Sequence, residues 1–260
     1  MPEGDTIYRT AATLRSVLED QKVIAASGAA LGGAGREGKL VTSVEPRGKH
    51  LLIRFDDEKV LHSHMGMTGS WHIYRNGDAW QKNRENANCI VQVEGACAAC
   101  YSPKVIELIS NRELECHPYL AKLGPDLMAP DFDFAAAVTR FRVHHAQPIG
   151  EAVMNQTIVC GMGNVYKSEL LFIERINPFT TVGSLSDYRI TSLLKRSRKL
   201  LLRNRIGHRR TTRVSRQGSR VWLYGRSNER CFKCDSTIEM RRQGDLGRST
   251  YWCPICQVAS

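Results

Sequence analysis

Four cysteines constrain this chain more than any other feature. Cys231-Phe-Lys-Cys234 and Cys253-Pro-Ile-Cys256 are separated by eighteen residues, a C-x2-C-x18-C-x2-C spacing within the range of structural zinc sites. Each pair can turn tightly enough to aim two thiolates at one ion. Four thiolates leave no open coordination position, so the expected Zn2+ is one structural ion. Between the pairs, Asp235 to Trp252 has β-type residues on either side of Gly244-Asp-Leu-Gly247, which predicts a hairpin strapped by the metal. A redox role for the two pairs is the competing reading. Cys97-Ala-Ala-Cys100 has the same local spacing but follows Cys89-Ile-Val-Gln-Val and a Glu94-Gly95 turn, so it falls on the return strand of a hairpin. Positions i and i+3 of a strand face opposite sides about 10 Å apart, and we read Cys97 and Cys100 as structural, with Cys89, Cys116 and Cys160.

Hydrophobic periodicity divides the rest of the chain into a β half and a helical half. Ile7, Ala11, Leu14 and Leu18 recur at helical spacing, which predicts an amphipathic helix over about Pro2 to Asp20, with Pro2 and Glu3 at its exposed start. A Gly/Ala-rich stretch from Ser27 to Gly38 reads as a loop or weak strand. Strand patterns follow at Leu40–Val44, His50–Phe55, Val60–His64, Ser70–Tyr74, Cys89–Val93 and Val105–Ile109. Prolines and Gly124 then break the pattern. Helical periodicity takes over at about 133–144, 149–155, 165–175 and 185–205. The expected fold is α+β and multi-domain: an N-terminal β-sandwich with a flanking helix (1–121), a linker (122–130), a helical domain (131–220) and a zinc hairpin (221–260).

Charge points to the partner. The chain carries 37 Lys and Arg against 26 Asp and Glu, a formal charge of +11, and a polyanion gains affinity by releasing counterions to such a surface. The excess is concentrated from Tyr188 to Asn228, where thirteen cations, from Arg189 to Arg226 and including Arg216, stand without one Asp or Glu. Nucleic acid is the favoured partner. An acidic membrane surface fits less well, because the run lacks the bulky apolar face of an interfacial helix. With no apolar run of about 18 residues and no charged-then-apolar leader, the expectation is a cytosolic monomer.

Three stretches carry candidate chemistry. A small residue after Met1 permits removal of the initiator, which would leave Pro2 as a free secondary amine. An α-amino group titrates near ~7.7–8, far below a lysine side chain, and a secondary amine can attack the anomeric carbon of a sugar to give an iminium. Glu3 beside it can donate a proton. The bland alternative is an ordinary helix start with Pro and Glu in the first turn. Glu45-Pro-Arg-Gly-Lys49 turns into the strand at His50, placing Lys49 at a hairpin rim, where a solvated turn lysine is the ordinary reading. Cys160-Gly-Met-Gly-Asn164 lies between two short helices and opens the second; glycines there suit either a tight turn or a backbone approach to phosphate at a helix start.

Taken in order, Met1-Pro-Glu-Gly4, Arg47-Gly-Lys49, Ser63-His-Met-Gly-Met67, Gly161-Met-Gly-Asn164-Val-Tyr166 and Cys253-Pro-Ile-Cys256-Gln257 resemble the formamidopyrimidine-DNA glycosylase and endonuclease VIII family over essentially the whole chain. The resemblance implies a bifunctional enzyme that excises oxidised bases from DNA and cuts the strand at the abasic site by β,δ-elimination. It also implies a helix-two-turn-helix module in the helical half. By that resemblance Pro2 is the nucleophile, Glu3 the acid that opens the sugar, and Lys49 a catalytic turn lysine that contacts the target phosphate. Asn164 and Arg248 hold the DNA backbone. Met67 stands where the family inserts a side chain into the stack vacated by an extruded base.

Lesion recognition departs from the family pattern. Gly66-Met67-Thr68 replaces the Gln-Leu-Tyr of many endonuclease VIII proteins, and Pro103-Lys104-Val105-Ile106 lacks the Arg and Phe of the formamidopyrimidine branch. A lone wedge leaves duplex and single-stranded damaged DNA both open as substrates. The Pro-Glu-Gly start resembles the endonuclease VIII branch more than the other, and that resemblance implies oxidised pyrimidines as the favoured substrates. The alternatives are an 8-oxoguanine or formamidopyrimidine-specific glycosylase, and a non-catalytic zinc-dependent DNA-binding protein.

Overall fold

The computed structural model describes residues 2–31, 35–207, 209–215 and 218–258; Met1, Arg216 and the middle of the Gly/Ala-rich stretch lie outside them. Two compact units divide at Lys122 and Leu123.

The first unit opens with helix α1, Gly4–Leu18. Its stripe of Ile7, Ala11, Leu14 and Leu18 enters the core, each large side chain contributing about 1.5–3 kcal/mol by leaving water. Strands β1 (Ala25–Ser27), β2 (Val41–Arg47), β3 (His50–Phe55), β4 (Lys59–His64), β5 (Ser70–Arg75), β6 (Cys89–Val93), β7 (Ala96–Tyr101) and β8 (Val105–Ser110) follow, then the short helix α2 (Asn111–Glu115). They form two four-stranded antiparallel sheets, ordered β2-β3-β4-β8 and β1-β6-β7-β5. Alternate residues such as Leu51 and Ile53 of β3, Leu61 of β4 and Val91 and Val93 of β6 fill the core between the sheets and α1. The β-sandwich with one flanking helix is the architecture the periodicity predicts. Helix α2 was not foreseen; it is specified locally by a capping box in which Ser110 and Glu113 satisfy each other's backbone N–H groups.

The second unit contains α3 (Phe134–Val143), α4 (Ile149–Ala152), α5 (Asn164–Ile173), α6 (Asp187–Asn204) and the hairpin β9 (Glu239–Gln243) and β10 (Arg248–Trp252). Of residues 122–130, read from sequence as a linker, all but Lys122 are part of this unit. Leu127 is fully buried, and the Arg198 guanidinium donates to the carbonyls of Leu127, Ala129 and Pro130 at 2.7, 2.5 and 3.3 Å. Prolines prevent regular structure there without preventing packing. Helix α5 is buried from Asn164 through Phe172, and the unit is built around it. The Glu169 carboxylate accepts the N–H groups of Trp222, Leu223 and Tyr224 at 2.7, 2.8 and 2.8 Å and the Thr212 hydroxyl. Among the described residues no helix is long and apolar enough to cross a membrane.

The basic run is not simply a solvated face. Arg189 donates to the carbonyls of Glu174 and Arg175, Arg203 to that of Thr211, and Arg226 to those of Trp222 and Arg230. Arg213 and Arg226 lie over the Phe232 ring, 4.0 and 3.5 Å from its centroid. These guanidinium forks satisfy carbonyls at helix ends and turns. Lys195 and Lys199 on α6 remain exposed to solvent.

Candidate functional site

In the first unit, Glu3 is the N-cap of α1 in extended conformation, and its carbonyl accepts the N–H groups of Thr6 and Ile7 at 2.8 and 3.0 Å. The sequence reading placed Pro2 and Glu3 at an exposed helix start. The structure corrects this: Glu3 is 0% exposed and Pro2 is half-buried. The apolar stripe draws the first turn of α1 into the unit, and Gly4 and Asp5 are buried with it. The Glu3 side chain makes no capping bond to the helix. Asp5, which sequence reasoning passed over, is also 0% exposed and pairs with Arg9 at 3.3 Å.

Lys49 stands at the tip of the β2–β3 hairpin, a two-residue turn of Gly48 and Lys49 with Arg47 opposite His50. Gly48 has φ +59°, the left-handed conformation that a type II′ hairpin demands of its first central residue. Behind the turn, on the outer face of this sheet, lie three histidines that the sequence reading did not single out. Their signal was strand alternation, which puts His62 and His64 of β4 on one face, with His50 opposite His64. The rings of His50 and His64 are 4.7 Å apart.

Burial lowers the pKa of all three. It pushes the His50 imidazole down to about 2, with help from His64, and it lowers His62 against the opposing pull of Glu107. His64 is pushed down to about 4 by burial and by Lys49 and Lys104. A histidine lowered on folding adds stability that is complete above its unfolded value near 6.5 and is lost as pH falls toward its folded value. The urea midpoint is therefore expected to fall between pH 6.5 and about 4. It is expected to fall less in His64→Gln, which has no charge to gain; an identical pH profile in that variant would remove His64 from this account.

Met67 lies at the tip of the β4–β5 connection and is 61% exposed, whereas Met65 is 3% exposed and packs into the core. Gly66 has φ +61°. A Cβ at Gly69 would meet the Met65 carbonyl oxygen at 2.5 Å and the Pro103 Cα at 2.9 Å, so the loop closes tightly while holding Met67 outward.

In the second unit, Asn164 is the first residue of α5, reached through Gly161 (φ +105°) and Gly163 as N-cap. Gln156 braces this turn by donating to the carbonyls of Met154 and Met162 and accepting from Gly161 N–H. Asn164 is 2% exposed; its amide nitrogen is 3.0 Å from Ser249 Oγ, and its amide oxygen has no hydrogen-bond partner. Because a hydroxyl can donate or accept, the amide can equally turn over, giving its oxygen to Ser249 and freeing two N–H donors for an incoming anion. Ser249 follows Arg248, the first residue of β10, and Thr250 next along accepts from the buried Lys167 ammonium at 2.7 Å. Strand β10 thus runs beside the start of α5 and carries Arg248 with it. A pocket of about 210 Å³ there is lined by Arg248, Lys167, Gln147 and Glu151 among others.

The four C-terminal cysteines converge. Their Sγ atoms all lie within 4.8 Å of one another, with Cys231 to Cys256 at 3.9 Å and Cys234 to Cys253 at 3.4 Å. A tetrahedral Zn2+ with bonds of about 2.3 Å needs sulfurs roughly 3.8 Å apart, so the four thiols fit such an ion. The N–H groups of Lys233 and Cys256 point at the sulfurs of Cys231 and Cys253, each at 3.4 Å, as each tight turn requires. Cys97 and Cys100 lie on β7, and His62, Glu107 and His117 form a second compact cluster of metal-ligand type.

Comparison with known proteins agrees across the chain. Residues 1–103 match the formamidopyrimidine-DNA glycosylase N-terminal domain and residues 123–215 the formamidopyrimidine-DNA glycosylase H2TH domain. The chain is 35% identical to a probable endonuclease 8 2 of Streptomyces coelicolor, covering 99% of this chain and 94% of that protein. It is also 35% identical to the DNA-(apurinic or apyrimidinic site) lyase Nei2 of Mycolicibacterium smegmatis, covering 100% of each. Among solved structures, Lactococcus lactis formamidopyrimidine-DNA glycosylase bound to DNA containing an abasic site has a TM-score of 0.81 at 22% identity, covering 99% of this chain and 100% of that one.

Proposed function

The chain belongs to the formamidopyrimidine-DNA glycosylase and endonuclease 8 family of DNA glycosylases with abasic-site lyase activity, and we propose that it removes oxidised bases from DNA through a Schiff base on Pro2. Oxidised pyrimidines are the favoured substrates, and the strand is then cut by β,δ-elimination. The observation that carries this reading is the buried Glu3 carboxyl beside Pro2 at the head of α1.

Once Met1 is removed, the Pro2 amine attacks C1′ of the damaged nucleotide. Glu3 supplies a proton as the sugar ring opens and the base departs, leaving an iminium between Pro2 and the sugar. Loss of a proton from C2′ then expels the 3′ phosphate, and a second elimination releases the 5′ phosphate. Lys49 at the hairpin tip, Asn164 at the start of α5 and Arg248 at the start of β10 grip backbone phosphates. Cys231, Cys234, Cys253 and Cys256 hold one Zn2+, which supplies no chemistry beyond fixing the hairpin that bears Arg248. The protein acts as a monomer on damaged DNA in the bacterial cytosol. Borohydride trapping on a panel of defined lesion oligonucleotides tests the reaction and the substrate together: a trapped adduct on oxidised-pyrimidine DNA is expected, and preferential trapping on 8-oxoguanine would reverse the preference. A protein that binds DNA but traps on no lesion or abasic site would be the non-catalytic binding module.

Met67, exposed on its braced loop, is the wedge that fills the vacated stack, its flexible thioether suiting that role. Met67→Ala is expected to lower excision from duplex about tenfold or more while changing single-strand excision little, because only the duplex must be unstacked. The slope of log affinity against log salt stays unchanged, since no phosphate contact is lost. Equal losses on both substrates would remove Met67 from the wedge role.

A further inference from the structure

On the outer face of the β2-β3-β4-β8 sheet, four side chains are joined end to end. His50 Nδ1 lies 2.8 Å from His62 Nε2, His62 Nδ1 lies 2.8 Å from Glu107 Oε1, and His117 Nε2 lies 2.9 Å from that same oxygen. Register explains the placement: His62 is directly opposite Glu107 across β4 and β8, and His50 opens β3 opposite His64. His62 is 1% exposed, an unusual depth for a polar side chain on a sheet's outer face.

Three imidazoles have many tautomers in principle, but the partners leave one arrangement. His117 Nδ1 accepts the backbone N–H groups of Tyr119 and Leu120 at 3.3 and 3.2 Å, so it carries no proton, and Nε2–H donates to Glu107. A carboxylate oxygen at 2.8 Å likewise requires the proton on His62 Nδ1, which leaves Nε2 of the neutral ring bare. His50 Nδ1–H therefore donates to His62, and His50 Nε2 is left as a lone pair at the outer end of the chain. Coordination explains the cluster less well: a metal on His117 Nε2 would need a proton on Nδ1, and Nδ1 faces two N–H donors.

We propose that this relay makes His50 a positioning residue for Lys49, its fixed Nε2 lone pair accepting a hydrogen bond that turns the neighbouring ammonium toward a DNA phosphate. Glu107 acts through His62, because each hydrogen bond in such a chain polarises the next. Lys49 directly precedes His50 at the end of the β2–β3 hairpin, where Arg47 lies opposite His50 and His50 lies opposite His64. The proposal rests on the reading of Lys49 as a phosphate-gripping residue.

The test combines tautomer assignment with a double-mutant cycle on the whole zinc-loaded protein. Histidine 15N shifts are expected to show Nδ1–H for His50 and His62 and Nε2–H for His117. On abasic-site DNA, His50→Phe keeps a ring and removes the acceptor, and it is expected to lower kcat/KM about tenfold, chiefly through KM. His50→Gln restores an acceptor and is expected to recover to within about threefold. Neither changes the salt slope, whereas Lys49→Ala lowers it by about one. In the Lys49→Ala background, His50→Phe is expected to cost nothing further. Equal loss in the Phe and Gln variants, additivity with Lys49→Ala, an Nδ1–H His117, or a second bound metal lost in His117→Ala would each overturn the proposal. A Lys49→Ala variant with undiminished affinity and unchanged salt slope would instead overturn the reading of Lys49, and the relay's role with it.

Discussion

Glu3→Gln is expected to lower base excision by about two to four orders of magnitude, the range of a general acid or base removed from the transition state, while preserving far more cleavage at preformed abasic sites. The asymmetry follows from the chemistry. Excision needs a proton delivered while the glycosidic bond breaks and the sugar opens. At an abasic site the base is already gone, and an open aldehyde is available to the amine without that assistance. Glutamine keeps the shape of a side chain that is 0% exposed, so the loss reads out proton transfer with little change in packing. Pro2→Gly leaves a primary amine in place of the secondary one and is expected to weaken the borohydride-trapped adduct. Peptide mapping decides the assignment: an adduct on Lys49 would remove Pro2 from the nucleophile's role. Intact mass must accompany these assays, because a retained Met1 acylates the Pro2 nitrogen and silences any variant.

Most of the fold was legible because its signals are local. Alternation over His50–Phe55 and Cys89–Val93 and the helical stripe Ile7, Ala11, Leu14, Leu18 correspond to β3, β6 and α1, since burying one face demands one period. The cysteine spacing was equally direct, because two tight turns, each bearing a pair, bring the four sulfurs within 4.8 Å of one another. What escaped depends on partners distant in sequence. That Glu3 is buried rather than exposed depends on how α1 docks, which no spacing within Met1–Asp5 encodes. The histidine chain needs the β3-β4-β8 order to bring His50, His62 and Glu107 into line, and then the turn after α2 to bring His117. The basic run misled in a different way. Charge counting sees thirteen cations, but Arg198 and Arg226 serve backbone carbonyls, so a fraction of the excess maintains the second unit.

Cys253→Ser is expected to abolish measurable DNA binding, a fall of at least about a hundredfold, while leaving the first unit folded, because metal binding in such a module is folding free energy. A two-stranded hairpin is marginal by itself in water, and β9–β10 has only its two-stranded pairing plus what anchors it. One anchor is at this residue: the Cys253 N–H donates to Gln257 Oε1 at 3.0 Å, and the Gln257 amide donates to the Ile176 carbonyl at 2.8 Å. Losing a thiolate from the foursome loosens that lock. It also frees β10, on which Ser249 meets Asn164 and Thr250 meets Lys167. Arg248 and Asn164, one on each side of that contact, then lose their common frame together. Three measurements are needed. Zinc analysis is expected to give one ion per chain in the parent and none in Cys253→Ser, amide exchange in β3 and β4 is expected to stay at parental rates, and the Cys97→Ser, Cys100→Ser protein is expected to keep its zinc. Full zinc content after replacing all four of Cys231, Cys234, Cys253 and Cys256 would show that the ligands lie elsewhere, and Arg248 would then have to be aimed by the protein contacts of β10 alone.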